Sequence, residues 1–281
     1  MITNRFETVL ADTPTAKDIH YRVRYKVFCE ETGFEDATRF PDGRERDEFD
    51  EHATHFIVWD RLERQWVGAM RLARADHQPM PCEVICDADL KGLDRRRPRS
   101  VEFSRLCVLG QHRRAESAFR FGLKAPDGYP QGPEIPVFFR QEEYEVFLRL
   151  LRASFAWGKS NAVDYCYFIV TRALTRVLQR FGIPLERVGS PVEHRGVRTP
   201  HSYNVHDAEA GMLAKSPSFA RLTRNSPAYV TYSNFVGRPT ETPANAARVS
   251  AFPSEIVVAT QLRRGGWPLG ANGRGFSGKV A

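Results

Sequence analysis

Lysine is scarce in this chain. Only seven of its 41 basic residues are Lys, so the formal charge of +7 is carried almost wholly by arginine. Guanidinium favours bidentate contacts to carboxylates and phosphates. Long hydrophobic runs are also missing. No stretch approaches the roughly 18–20 uninterrupted apolar residues of a membrane-spanning helix. The start, MITNRFETVLADTPT, lacks a basic segment followed by an apolar one, so no secretion signal is expected. These absences predict a cytoplasmic protein without an integral membrane segment. Cysteine is sparse and unpaired: Cys29, Cys82, Cys86, Cys107 and Cys166 are odd in number and form no Cys-x-x-Cys pair. Buried reduced thiols are expected, with no metal site. Helix-turn-helix, zinc-finger and ribonucleoprotein aromatic patterns are lacking too, and the basic residues are spread along the chain, which disfavours a nucleic-acid partner.

With 42% hydrophobic and 27% charged residues in 281, the chain can bury an ordinary core. Periodicity predicts a helix over 16–33, with Ile19, Val23, Val27 and Phe28 on one stripe and Gly33 as its stop. A polar loop over 34–54 precedes an antiparallel hairpin, THFIVWD (54–60) and WVGAMRLAR (66–74). An irregular stretch ending in RRRPR leads to a buried strand at 100–109. After a loop-rich insertion at 114–140 come an amphipathic helix (141–158), a strand (164–170), a helix (171–181) and a closing strand pair near 185–190 and 196–206. The pattern weakens beyond 208 and ends Gly-rich. The expected organisation is one working domain, 1–207, and an extension, 208–281.

One segment is unusually acidic: ERDEFDEHATHF (45–56) places Glu45, Asp47, Glu48, Asp50 and Glu51 within seven positions. It reads either as a solvated turn or as a built acidic site. The strands nearby carry charges that need compensation: Arg71 in GAMRLA, and Glu102 and Arg105 in VEFSRLCV. An unpaired buried ion costs several kcal/mol. Asp47 or Asp50 is therefore expected to fold over the strands and pair with Arg24, Arg71 or Arg105; the alternative is a set of surface ion pairs with no role. Residues 102 and 105 face opposite sides of a regular strand unless a bulge intervenes. Glu48 and Glu51 read as the solvated side of the turn, and neither His52 nor His55 is read as catalytic.

The order Arg24-x-x-x-Phe28, Glu45-x-Asp47-x-x-Asp50, Gly68-x-x-Arg71-Leu72, Glu102-x-x-Arg105 closely resembles the autoinducer synthases, which make acyl-homoserine lactones. It is also similar to their relatives, the N-acyl amino acid synthases and the PEP-CTERM/exosortase-associated acyltransferases, all branches of the GNAT N-acyltransferase superfamily. The resemblance covers 20–110 by motif and about 140–206 by element order. LCVLGQHRR (106–114) is similar to the superfamily's acyl-donor motif, although RRAESAF lacks the usual glycine-rich turn. Phe34 stands where autoinducer synthases carry Trp.

The resemblance implies an α/β (α+β) fold, a mixed central sheet flanked by helices. It implies transfer of a fatty acyl group from a thioester to an amine. The co-substrate would be acyl-ACP or acyl-CoA, with no permanently bound cofactor and no metal. Glu102 would be the general base, with Arg105 beside it. Arg24, Phe28, Phe34, Glu45, Asp47, Asp50 and Arg71 would shape the acceptor pocket and its lid. Backbone near Leu106 and Val108 would polarise the thioester carbonyl, and Arg113 and Arg114 would bind the donor phosphate. Arg95–Arg97, Arg99, Arg113, Arg114 and Arg120 would dock an acidic acyl carrier protein. Tyr144, Phe147 and Phe155 read either as lining for the acyl chain or as plain core. The acceptor reads as a small amine such as an amino acid; the alternatives are a lactone synthase using S-adenosylmethionine, an acetyl-CoA enzyme, and a non-catalytic acyl- or nucleic-acid-binding protein.

Overall fold

The computed structural model describes residues 5–86, 90–110 and 141–238. Within them lie β1 (Phe6–Leu10), α1 (Pro14–Tyr25), β2 (Ala53–Asp60), β3 (Gln65–Arg74), α2 (Pro81–Cys86), α3 (Leu93–Arg96) and β4 (Ser100–Val108). There follow α4 (Gln141–Ser160), β5 (Tyr165–Val170), α5 (Arg172–Arg180), β6 (Glu186–Arg187), β7 (Val192–Glu193) and β8 (Val197–Asn204). The last described elements are α6 (Val205–Lys215), α7 (Pro217–Asn225), β9 (Val230–Thr231) and α8 (Tyr232–Val236).

The strands form one mixed sheet in the order β6-β8-β5-β4-β3-β2-β1-β9, with β7 on β8. The expected hairpin is β2–β3, antiparallel, with His55 opposite Arg71. β4 continues antiparallel on β3 as far as Val108. On its other side β4 runs parallel to β5 over only three pairs, ending at Glu102 opposite Tyr167. From Phe103 onward β4 has no β5 partner, while Phe168–Val170 pair only with β8. The two halves of the sheet therefore part at the C-terminal ends of β4 and β5.

Helix α1 starts at a Thr13 cap, whose Oγ1 accepts from Ala16 N at 3.2 Å, with Pro14 in the first turn. Pro is pre-set for that position. Ala16, Ile19 and Val23 bury one stripe against the sheet. The helix continues as a wider π turn, Lys26–Glu31, and Gly33 stops it at φ +61°, a conformation that only glycine adopts without strain. Helix α4 crosses the other face. Its entire middle is buried, from Tyr144 through Leu151 to Phe155, so the aromatic residues of its stripe are core. Gly68 lets it approach, since a Cβ there would sit 2.9 Å from Val146 Cγ1.

The expected boundary at 207/208 falls inside α6. Met212, Phe219, Leu222, Tyr232 and Phe235 belong to the same core as α4 and the sheet. Strand β9 adds to β1 in parallel. Arg152 of α4 donates to the Pro227 carbonyl at 3.0 Å and to Ser226 Oγ at 3.1 Å. The packed unit therefore reaches at least to residue 238. The sequence pattern weakens there because these short helices each bury only two or three side chains against surfaces supplied from elsewhere. The 114–140 insertion and residues 239–281 lie outside the described residues.

Candidate active site

The site grows from a single face of the sheet. On β3 and β4, Arg71 is opposite Ser104 and Ala73 opposite Glu102, so Arg71, Ser104 and Glu102 share a face. Arg71 Nε donates to Ser104 Oγ at 3.1 Å. The register between β3 and β4 shifts between Ala69 and Arg71, leaving Arg105 and Leu106 together opposite Met70. Arg105 takes φ +52°, a costly conformation for a side chain with a Cβ. This bulge turns Arg105 onto the face of Arg71.

The acidic loop closes over that face and its carboxylates are spent on guanidinium groups. Asp47 Oδ1 accepts from Arg71 Nη1 and Asp47 Oδ2 from Arg105 Nη2 at 2.9 Å. Glu45 Oε1 accepts from Arg105 Nε at 3.1 Å, and its Oε2 from Arg24 Nε. Asp50 Oδ1 takes Arg24 Nη1 at 2.6 Å, Arg71 Nη1 at 3.1 Å and His55 Nε2 at 3.1 Å. The turn itself is a capping box: Phe49 N donates to Asp47 Oδ1, and Asp47 N donates to Asp50 Oδ2 at 2.8 Å. Each aspartate thus holds both its own turn and the arginines below. Glu48 and Glu51 are exposed.

Arg24 and Arg71 are fully buried and Arg105 partly exposed. Burial works against the charged forms of Arg24 and Asp50. Their mutual attraction, with Arg71 and His55 adding on the Asp50 side, overcomes it: the Asp50 carboxyl is held well below the usual range and the Arg24 pKa is raised. His55 packs edge-on against His20, ring centroids 4.6 Å apart, and His20 Nε2 lies 3.2 Å from the Met70 carbonyl. Burial depresses the pKa of both imidazoles, so both are neutral at pH 7.

Glu102 has a different environment. It is buried, and its Oε2 accepts from Cys82 N at 2.6 Å. No guanidinium is within ion-pair distance among the described residues. Burial raises its pKa to about 7, offset in part by the Cys82 contacts and, more weakly, by Arg71 and Arg105. The Cys82 thiol is itself pushed well above its ordinary pKa by burial beside that carboxylate, so it is not an activated nucleophile.

The other predicted residues fall around this core. Phe28 lies under the Arg105 guanidinium, 5.9 Å from carbon to ring centroid. Phe34 is half-buried and immediately precedes Glu35. Leu106 is half-buried and Val108 buried, both on the stretch of β4 that has left β5. Arg113, Arg114 and Arg120 lie outside the described residues. Within RRRPR, Arg96 pairs with Glu186 at 3.1 Å, Arg97 with Glu83 at 2.6 Å, and Arg99 with Asp164, so three of the four arginines expected there to dock a carrier protein are engaged internally.

Sequence reasoning missed Glu35, His20, Ser104 and Arg195. Glu35 is buried, with Oε1 on Arg195 Nη2 and 3.5 Å from Arg105 Nη2. Nothing local marks a pair separated by 160 positions. His55, read from sequence as non-catalytic, opens the fully buried part of its strand, His55 to Asp60.

The sheet therefore opens beside a buried carboxyl, under an acidic loop pinned by arginines. Residues 23–121 match the family described as Acetyltransferase (GNAT) domain. Over that segment the chain carries a GNAT-type acetyltransferase domain. Its fold is that of solved acyl-homoserine lactone synthases. The AHL synthase LasI aligns with a TM-score of 0.52 at 12% identity, covering 75% of this chain and 96% of its own. The CoA-dependent acyl-homoserine lactone synthase MesI gives 0.52 at 17%, with 80% and 98% covered. BjaI, another CoA-dependent synthase, solved with SAM and isopentyl-CoA, gives 0.51 at 18%, with 76% and 91% covered. No curated protein matches the chain significantly by sequence.

Proposed function

We propose that this acyltransferase moves a long acyl group from a carrier-protein or coenzyme A thioester to the amine of a small molecule such as an amino acid. The observation that carries the reading is Glu102, a carboxyl tuned to about 7 on the last residue of β4 that still pairs with β5. A base poised near neutral pH is what amine acylation requires, because the attacking nitrogen must lose a proton as the bond forms.

In this reading the thioester enters where β4 and β5 part, its acyl chain running past Leu106. The amine, held under the lid, attacks the thioester carbonyl carbon. The C–N bond forms, the C–S bond breaks, and the proton released from nitrogen passes through an intervening water to Glu102 and then to the departing thiolate. Backbone N–H groups of Leu106–Val108, left without a β5 partner, stabilise the oxyanion. Arg71, Arg105, Asp47 and Asp50 fix the lid and the acceptor wall. Arg113 and Arg114 hold the donor phosphate.

Purified full-length protein incubated with palmitoyl-coenzyme A or palmitoyl carrier protein and the twenty amino acids should release free thiol and form N-palmitoyl products. Thiol release equal to that of a no-enzyme control with both donors would remove the reading. A second reading, lactone synthesis from S-adenosylmethionine, is supported by the fold shared with LasI, MesI and BjaI; it predicts that adding S-adenosylmethionine, not amino acids, triggers thiol release.

A further inference from the structure

The hairpin of β7 and β8 lies beyond the C-terminal end of β5, where Val170 pairs with Thr199. This is the end of the sheet at which β4 and β5 have parted. The hairpin turn is tight: His194 N donates to the Gly196 carbonyl at 3.2 Å, and Arg195 and Gly196 both have positive φ. Glu193, on the same turn, is engaged with Gly196 N at 3.1 Å. From this turn Arg195 reaches across to Glu35, the carboxylate it shares with Arg105. The hairpin and the segment after Phe34 thus meet at one carboxylate.

Behind Arg195 stands Arg198, half-buried on β8. Its Nε donates to the His194 carbonyl at 2.8 Å. Its two terminal nitrogens have no partner among the described residues. Setting aside the exposed Arg39 at the rim, five guanidinium groups (Arg24, Arg71, Arg105, Arg195 and Arg198) meet four carboxylates (Glu35, Glu45, Asp47 and Asp50), all of them already engaged. Glu193 on the hairpin turn is exposed and held by Gly196 N, so Arg198 is the one guanidinium of these five with no carboxylate partner among the described residues. A half-buried guanidinium is normally matched by an anion.

We propose that Arg198, backed by Arg195, is the carboxylate-binding group of the acceptor pocket, so that the accepted amine belongs to a molecule with a free carboxylate. The assignment rests on the acyl-transfer reading above and adds a residue that none of the sequence motifs contains. Burial and the neighbouring Arg195 both lower the pKa of Arg198, so an anion placed there relieves an unfavourable charge rather than displacing an existing partner. Planar guanidinium suits a carboxylate bidentately, which lysine cannot reproduce. A phosphate of the donor arm has the same recognition chemistry; the link from Arg198 through Arg195 to Glu35, which Arg105 also approaches, favours the acceptor side instead.

The test is isothermal titration of N-dodecanoylglycine and its methyl ester against the full chain as wild type, Arg198→Gln and Arg198→Lys, beside thiol-release kinetics with palmitoyl-coenzyme A and amino acids or their carboxamides. Wild type should bind the acid at least about tenfold more tightly than the ester. Arg198→Gln should bring the two together, with donor KM within twofold, and Arg198→Lys should keep part of the preference. A wild type without preference, an Arg198→Gln variant that keeps the wild-type ratio, or a rise in donor KM with an unchanged ratio would each overturn the assignment. The wild-type ratio needs no variant, and Arg198→Lys covers the case in which Arg198→Gln does not fold. Acid preference that depends on Arg198 in a protein without turnover would sink acyl transfer and keep the anion site; turnover without acid preference would do the reverse.

Discussion

Glu102 and Arg105 lie on the same face of β4, although three positions along a regular strand place side chains on opposite faces. The bulge at Arg105, with φ +52°, makes the difference. It brings Arg105 onto Asp47, which also holds Arg71, and leaves Glu102 farther down the strand, held by Cys82 N with no guanidinium in ion-pair distance among the described residues. One distortion therefore separates two environments: an arginine neutralised by the acidic loop, and a carboxyl left to burial.

Glu102 makes stability depend on pH. Its folded pKa, about 7, lies above the ordinary value of 4.5, so between those values the folded state binds more protons than the unfolded one and stability falls as pH rises. The loss is complete above about pH 7 and is on the order of 3 kcal/mol at most. Glu102→Gln should abolish this slope and melt higher than wild type at pH 8 while turnover falls by roughly 10²–10⁴-fold. Thermal melts at pH 5 and 8 beside steady-state rates check both; a variant that loses stability in proportion to activity would contradict the assignment.

Asp50 and Asp47 should separate on mutation. Asp50 is buried and shared by Arg24, Arg71 and His55, so Asp50→Ala leaves two fully buried guanidinium groups with one carboxylate each and should cost about 3–5 kcal/mol. Asp47 is partly exposed, and both arginines it holds keep another carboxylate. Asp47→Ala should cost less than half as much in urea titrations yet reduce kcat/KM for the acceptor at least about tenfold. Equal stability losses, or near-wild-type activity for Asp47→Ala, would remove Asp47 from the acceptor wall.

Acid unfolding carries the opposite sign. The Asp50 carboxyl is held below its ordinary pKa, mainly by Arg24 against the cost of burial. Its contribution is present above about pH 4 and is lost as pH falls toward the depressed folded value. Asp50→Asn should therefore show a flatter fall in melting temperature between pH 4 and pH 2 than wild type. Parallel curves would mean that other carboxylates dominate acid unfolding.

The β2–β3 hairpin, the two long helices and the pairing of the acidic loop with buried arginines are legible in the sequence, because alternation and helical stripes repeat locally and because charges inside apolar strands demand partners. What escaped was non-local. Arg195 meets Glu35 across 160 positions, and β9 joins β1 by only two pairs. The two imidazoles of His20 and His55 meet edge-on only because α1 packs across β2. The expected stop at 207 falls inside a helix because α6 and α7 are short and borrow their apolar surface from α4, while α8 borrows its own from Trp59 and Trp66.

That borrowed packing is testable at a glycine pair. Gly182 and Gly211 touch so closely that a Cβ on Gly211 would lie 1.9 Å from the Gly182 carbonyl oxygen. Gly211→Ala should destabilise the whole protein in a single transition by about 3 kcal/mol or more, with backbone rather than a flexible side chain in the way. A local loss, with α6 and α7 melting separately from the sheet, would restore the boundary at 207.

The most direct measurement is mass spectrometry of lipid extracts from cells expressing wild type beside Glu102→Gln. The account predicts an N-acyl product that contains a free carboxylate in the wild-type extract and is lost or greatly reduced with the variant. The same new product in equal amount from both strains would contradict the role of Glu102, and identical extracts lacking any new N-acyl species would contradict acyl transfer itself.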